Sequence, residues 1–293
     1  GQYEVCDFVL VLLAYAISGV ATLKEFFAQL ESVKSVVLSM WQRQQCPVAS
    51  TLSRFLSVIE APAVEALRTS FEADLLEHGF ERDQSGGLMD RSGERFWVFD
   101  VDGTHQVARQ RAVTQQADYP AARRRSQVAV RPGYLGRKRG EGIRSRSAVR
   151  QAHTTEWLGT FGCAGNGTPG PDLDRACGVI QHYLQHHGIP GNQAIVRLDG
   201  FYGTPQFVNR MQQHQLSYLL RCRDYSLLKQ PAIQSRIAQT KAQQWSHPEC
   251  QVVREVFDLG FVKDELAGYS APVRLLVVRT PRNPHRKPRV GKR

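Results

Sequence analysis

The stretch RFWVFDVDGTH, Arg95 to His105, is an apolar run interrupted by two alternating acids, Asp100 and Asp102, and closed by Gly103-Thr104. Aromatic and β-branched residues leading into Asp-Gly read as a β-strand that gives way to a turn. Three chemistries suit its acids. Asp100 can be a covalent nucleophile with Asp102 as acid/base. Asp102 can be a carboxylate that holds a hard divalent cation. Both can also be plain turn residues, the commoner fate of Asp-Gly.

The same ending recurs further along. The apolar strand QAIVRLDG closes on Asp199-Gly200, 97 positions after Asp102. Neighbouring strand ends in one sheet bring two such carboxylates together. Paired carboxylates suit two Mg2+ (or Mn2+) ions, which need hard oxygen ligands and open positions for water and phosphate. Two ions roughly 3.5–4 Å apart activate the attacking oxygen and stabilise the leaving one in an in-line displacement. The glycine after each acid lets backbone or phosphate come close. Asp100 lies two residues before Asp102, on the same face by strand alternation, and is the second choice as a ligand.

The charge agrees with a phosphate-rich partner. The chain of 293 residues carries +11 with a pI near 9.6. Arg123 to Arg150 holds ten Arg/Lys against one acid, Glu141, a net +9, and Arg279 to Arg293 holds seven and no acid, so the remainder is −5. Charge concentrated in this way is the footprint of a nucleic-acid binder. Arg123, Arg124, Arg125, Arg137, Lys138, Arg139, Arg144 and Arg146 are the candidate DNA contacts. The six cysteines are scattered with no Cys-x-x-Cys pair, which argues against a zinc module and a secreted disulfide scaffold and fits a reducing cytoplasm. Phe8 to Leu23 is apolar but shorter than the roughly 20 residues of a membrane span, lacks a signal-peptide pattern, and reads as a buried helix, so no membrane partner is expected. Gly1 in place of an initiator Met and the RKPRVGKR ending read as trimmed ends.

Three regions follow from the pattern. Residues 1–90 read as a helical domain, DNA-binding in the context of the charge: Thr22 caps LKEFFAQL, Leu52, Phe55, Leu56 and Ile59 share one face after Pro47, and Val64, Leu67 and Phe71 share another after Pro62. The turn-rich DQSGGLMDRSG marks the boundary. Residues 91–222 alternate strands and helices: RFWVFDV, HQVARQRAV as its hairpin partner, the interrupting basic segment 123–150, and the strand HTTEWLGTFGC. A helix from Asp172 to Gly188 follows, capped by Asp172 or Asp174, then strand, helix TPQFVNRMQQHQ and strand LSYLLRC. A hairpin-led set of strands followed by alternating helices fits a mixed α/β, ribonuclease-H-like sheet with helices on both faces. Residues 223–293 read as a β-rich insertion with a basic tail, including the strands CQVVREVFDLG and VRLLVVRT.

FDVDGT, GYLGRKRGEG, WLGTF and RLDGFYG, in this order after STLSRFL, resemble bacterial insertion-sequence transposases of the DDE type, the cut-and-paste group with a ribonuclease-H-like catalytic domain. The resemblance runs from about residue 20 to the end, and is carried by motif order more than by any one motif. It implies Asp102 and Asp199 as the first two metal-binding acids and double-stranded DNA, both element ends and target, as partner. It also implies a homodimer acting on paired ends, and hydrolysis at the terminal inverted repeats followed by strand transfer from the freed 3′-OH. The family's third acid is a glutamate in Tyr-x-x-Arg-x-x-x-Glu. After Asp199 the only glutamates are Glu249, Glu255 and Glu265, and none has that context, so the third acid is expected beyond Arg293 and this chain is expected to be catalytically incomplete. A domesticated relative that only binds DNA is the alternative. A haloacid-dehalogenase-type phosphatase built on Asp100 is a distant one, because no later acidic pair accompanies it. His182 and His186 lack a third ligand and read as surface residues. Trp245 reads either as a base-stacking aromatic of the insertion or as a hydrophobic plug, and AGNGTPGPD has no Lys-Ser/Thr to make a phosphate loop.

Overall fold

The computed structural model describes residues 2–78, 86–108, 131–135, 138–164, 169–246, 252–263 and 267–280, with the side chains of 61, 107–108, 131–135, 138–142 and 163–164 outside that description. The chain forms two compact units, Gly1–Ala73 and Asp74–Arg293.

The first unit is helical: α1 (Val5–Ser18), α2 (Leu23–Met40), α3 (Ala49–Val58) and most of α4 (Ala61–Glu77). Thr22 caps α2 as its sequence requires, its hydroxyl accepting from the Glu25 N–H at 3.2 Å. Phe8, Val11, Phe26, Leu30, Cys46 and Leu52 form the core, and Phe8 stacks on Phe55 with ring centroids 4.1 Å apart. The buried helix expected over Phe8–Leu23 is corrected in two respects. It breaks at Gly19, which takes a left-handed φ of 66°, and it buries a single stripe. Val5, Val9, Leu13 and Ile17 lie exposed on the opposite row, because a small helical unit covers one face of a helix however apolar the rest is. The Val64, Leu67 and Phe71 face of α4 is likewise exposed rather than packed. No single helix is long and apolar enough to cross a membrane.

The second unit is built on a seven-stranded mixed sheet. Its first hairpin joins β1 (Leu88–Met89) to β2 (Arg95–Ala108). Across the sheet, β5 (Trp157–Ala164) pairs with β4 (Lys138–Gln151), β4 with β2, β2 with β6 (Ala194–Leu198), and β6 with β7 (Ser217–Leu220). β3 (Arg131–Leu135) shares the outer edge of β4 with β5. β2, β4 and β5 form an antiparallel meander, while β6 and β7 run parallel to β2. Each parallel strand is reached through a helix, α5 (Gly170–His186) and then α6 (Pro205–Gln213), which is the ribonuclease-H-like arrangement.

Strict alternation sorts these strands into two faces. Trp97, Phe99, Val101, Val149, Val196 and Leu198 turn inward and pack on Leu173, Ala176, Cys177 and Ile180 of α5 and Met211 of α6. Asp174 at the start of α5 staples the two helices by accepting from Arg210 and from His214. α5 begins at Gly170, with proline in its first turn and no side-chain cap, so neither Asp172 nor Asp174 caps it. Proline pre-sets the helical φ and removes one of the N–H groups a cap would serve.

Two strands differ from the sequence reading. β2 does not stop at Asp102 but runs through the Asp-Gly-Thr to Ala108, so HQVARQRAV begins as its continuation. Its antiparallel partner is instead β4, drawn from the basic segment that reads in the sequence as an interruption. Buried Ser145 and Ser147 alternate there with exposed Arg144 and Arg146, and inward serines hide a strand from a hydrophobicity pattern. In the following region β8 (Gln243–Ser246), β9 (Val253–Val262) and β10 (Val273–Arg279) form the expected separate sheet. A helix the sequence reading missed, α7 (Pro231–Gln239), buries Ile233 against Phe257, Leu259 and Val262.

Candidate functional site

The register of β2 against β6 sets the geometry. Asp100 is opposite Arg197 and Val101 opposite Leu198, so the next position of each strand is Asp102 and Asp199. β6 ends there while β2 continues against β4 alone. Asp102 is therefore in mid-strand, not at a strand end, and stands where its parallel neighbour stops. Both carboxylates are exposed and line one cleft of about 430 Å³ with Asp100, Arg146, Arg150 and Arg197.

The two Asp-Gly motifs interlock through the covered face. Asp199 accepts from the Phe201 N–H at 2.9 Å, which caps a single 3-10 turn over Gly200–Tyr202. That turn drives Tyr202 into the core, where its hydroxyl meets the Ser147 hydroxyl at 3.1 Å. A Cβ at position 103 would lie 3.2 Å from the Tyr202 oxygen, a tight contact that glycine avoids. Burial pushes the Tyr202 phenol up to about 12, opposed by the Ser147 hydrogen bond and reinforced by Asp199, Asp172 and Asp102. Gly203 lies against the chain at Arg221–Arg223, where a Cβ would meet the Arg221 carbonyl at 2.0 Å. The Arg223 N–H donates to the Gly203 carbonyl at 2.9 Å, so the end of the Asp199 turn is fastened to the segment after β7.

Asp100 is engaged elsewhere. Arg197 donates to both of its oxygens, Nε to Oδ1 at 2.6 Å and Nη2 to Oδ2 at 2.8 Å, and Arg150 Nη2 lies 3.7 Å from Oδ2. A carboxylate held on both oxygens by one guanidinium is a poor nucleophile, and is less apt as a cation ligand than Asp102 or Asp199. Among the described residues no group of three or more His, Cys, Asp or Glu converges as a metal site. The donor chemistry of Asp102 and Asp199 nevertheless fits a hard divalent cation, with two ligands from the described chain.

Of the candidate DNA contacts, Arg144 and Arg146 are exposed on the same face as the carboxylates, at the β4 positions opposite Gln106 and Thr104. Lys138 and Arg139 belong to the backbone of β4, while Arg123, Arg124, Arg125 and Arg137 lie outside the described residues. Glu255 is on a strand, β9, and not on a helix, and is in an ion pair with Arg279, while Glu249 and Glu265 lie outside the described residues. His182 and His186 are exposed on α5. Trp245 is 46% exposed on β8 with the Arg254 guanidinium 5.7 Å from its ring centroid.

Arg150 and Arg197 also line the cleft and are not among the candidates the sequence offers. Both were signalled: Arg150 continues the even spacing of Arg144 and Arg146, and Arg197 precedes Asp199 by the same two residues that separate Asp100 from Asp102. His153, just beyond β4, lies within electrostatic reach of Arg197 and Asp100. Its imidazole is held below its ordinary value by burial first and Arg197 second, with Asp100 opposing.

No family model and no curated protein sequence matches the chain. Among solved structures, a Mos1 transposase paired-end complex with left transposon end is similar over 80% of this chain and 63% of its own, at 13% identity and a TM-score of 0.26. A Mos1 mariner paired-end complex with Mn is similar over 76% and 79%, at 9% identity and a TM-score of 0.28. A piggyBac transposase synaptic complex with hairpin DNA is similar over 55% and 30%, at 8% identity and a TM-score of 0.27. The chain thus spans less than two thirds of the first of these chains.

Proposed function

We propose that this chain belongs to a DDE-type DNA transposase, in which the open face of the sheet binds double-stranded DNA and positions it for strand cleavage and transfer. The observation that carries the reading is that Asp102 on β2 and Asp199, the residue after β6, line one cleft together with Arg146, Arg150 and Arg197, while the third acid there, Asp100, is held by Arg197. Mg2+ or Mn2+, when bound, supplies Lewis-acid stabilisation of charge on the phosphoryl oxygens.

The chain's own residues do the rest. Arg144 and Arg146 neutralise backbone phosphates, an attraction that releases counterions and weakens with salt. Asp102 is fixed by ladders on both sides up to Val101 and by the β4 ladder beyond it. The Phe201 N–H and the Gly103–Tyr202–Ser147 contact fix Asp199 relative to it, so the two acids present a preorganised pair. The third acid comes from outside the described residues, and recognition of terminal inverted repeats by a homodimer, with the helical unit contributing, belongs to the same proposal.

Mn2+ binding to the chain with a DNA duplex present, followed by water-proton relaxation, tests this. Asp102→Asn and Asp199→Asn are each expected to weaken Mn2+ binding about tenfold or more while duplex binding without metal is retained. In a protein that also carries the third acid, Asp199→Asn abolishes Mn2+-dependent cleavage. Undiminished Mn2+ binding in both variants sinks the assignment and leaves a protein that only binds DNA.

A further inference from the structure

The cleft holds a second pairing one step below the first. Asp100 and Arg197 face each other two residues before Asp102 and Asp199, and Arg150 is opposite Asp100 on the other side. Two guanidinium groups thus converge on one carboxylate. Arg197 is about half exposed, and exposed ion pairs add little to stability, so stability is a weak reason for this arrangement. The bidentate contact consumes the Nε–Nη2 edge of Arg197 and fixes the plane of the guanidinium, leaving its outer Nη1–Nη2 edge as a second fork for another acceptor.

Charge indicates which acceptor. The cleft is lined by three acids, Asp100, Asp102 and Asp199, and three arginines, Arg146, Arg150 and Arg197. With the carboxylates bare, it has no net attraction for a phosphate. A cation held by Asp102 and Asp199 would leave the arginines of the same cleft in excess, and with them a net attraction for a phosphate. A planar fork with a fixed orientation matches two oxygens of a phosphate better than a flexible ammonium does.

We propose that Arg197, oriented by Asp100 and assisted by Arg150, is the phosphate-positioning residue of this cleft, seating a DNA phosphodiester next to Asp102 and Asp199. Asp100 is then a positioning residue and not a metal ligand. The inference rests on the reading of the cleft as a DNA-cleaving site. It makes duplex binding at this seat stronger with a divalent cation than without.

The test is fluorescence anisotropy of the chain with a labelled DNA duplex, titrated with salt in the presence and absence of Mn2+. With Mn2+, Arg197→Gln is expected to lower the slope of log affinity against log salt by about one and to weaken binding roughly tenfold. Arg197→Lys keeps the slope but binds more weakly than the wild type, because it retains charge and loses the fork. In an Asp100→Asn background that penalty of lysine disappears, since the fork is no longer held. Asp100→Asn keeps the Mn2+ affinity of the wild type. Should Arg197→Gln unfold, Arg197→Lys, which conserves the charge, carries the test. A wild-type chain that binds duplex while Arg197→Gln and Arg197→Lys match it in slope and affinity overturns this inference and leaves the site reading standing. A wild-type chain that binds no duplex removes both. Loss of Mn2+ affinity in Asp100→Asn makes Asp100 a ligand and overturns its positioning role.

Discussion

The two faces of β2 behave as different proteins. Phe99, Val101 and Gly103 point into a core closed by α5 and α6, where all but Gly103 are almost inaccessible. Asp100, Asp102 and Thr104, interleaved with them, share the opposite face with Arg144, Arg146, Arg150 and Arg197. From Phe99 to Thr104 the strand therefore carries apolar packing on its odd positions and the polar cleft on its even ones, although Val98 just before is buried as well. The covered face supplies enough burial for the other to collect charges that contribute little to folding. Each large apolar side chain fully buried is worth about 1.5–3 kcal/mol, whereas each exposed ion pair is worth about 1 kcal/mol or less.

The largest effects should come from the covered face. Phe99→Ala removes a ring packed edge-on against Tyr183 at 5.7 Å and leaves a cavity. Urea unfolding should register a loss of about 3–5 kcal/mol. A loss below about 1 kcal/mol would mean that β2 is not a core strand. Gly103→Val comes next. Its side chain meets the Tyr202 hydroxyl, which cannot retreat without giving up Ser147, so overpacking should cost about 1–3 kcal/mol. Combining it with Tyr202→Phe, which removes the crowded oxygen, should recover part of that loss. If it recovers none, Tyr202 is not what demands glycine after Asp102.

The same division of faces explains what the sequence made legible. Strands whose inward positions are apolar, β2, β5, β6 and β7, were found, as were α5 and α6, and with them the ribonuclease-H-like order. β4 was not found, because Ser145 and Ser147 point inward and arginines point outward, so its alternation is polar on both faces. The extent of β2 was misjudged for a related reason. Asp-Gly usually turns, but here Gly103 continues the strand opposite Ser147 and beside Tyr202, a side chain 99 residues distant that no local pattern reveals. In α1 the sequence pattern overstates burial instead. Its composition is apolar on every side, and only the packed structure shows that Val11 is buried while Val9 and Leu13 are not. Asp102 and Asp199 were legible because each ends an apolar segment. The grip of Arg197 on Asp100 depends on strand register, which neither strand encodes alone.

Arg144 and Arg146 sharpen the contrast by inverting it. Arg144→Gln and Arg146→Gln should each change the unfolding free energy by less than about 0.5 kcal/mol, since both side chains are exposed on a strand already paired on both edges. Each should nevertheless lower the salt dependence of duplex binding by about one ion. A stability loss comparable to that of Gly103→Val, with unchanged salt dependence, would make this face structural and remove the basis for treating it as a DNA surface.

The smallest effect reads the electrostatics of the open face directly. His153 is exposed, yet its imidazole sits below the ordinary value near 6.5, because partial burial and the Arg197 charge both disfavour the imidazolium while Asp100 favours it. The unfolded chain therefore binds more protons than the folded one between the depressed and the ordinary value. Stability rises with pH across that window and is lost as pH falls through it. An NMR titration of the His153 ring should give a midpoint below the ordinary value near 6.5. Arg197→Gln should move it up, by removing a repelling charge, and Asp100→Asn should move it down, by removing an attracting one. Opposite signs from two substitutions a few ångströms apart are what a clamped Asp100–Arg197 pair produces. Two shifts of the same sign would mean that the pair is broken in solution and that Arg197 is free to point elsewhere.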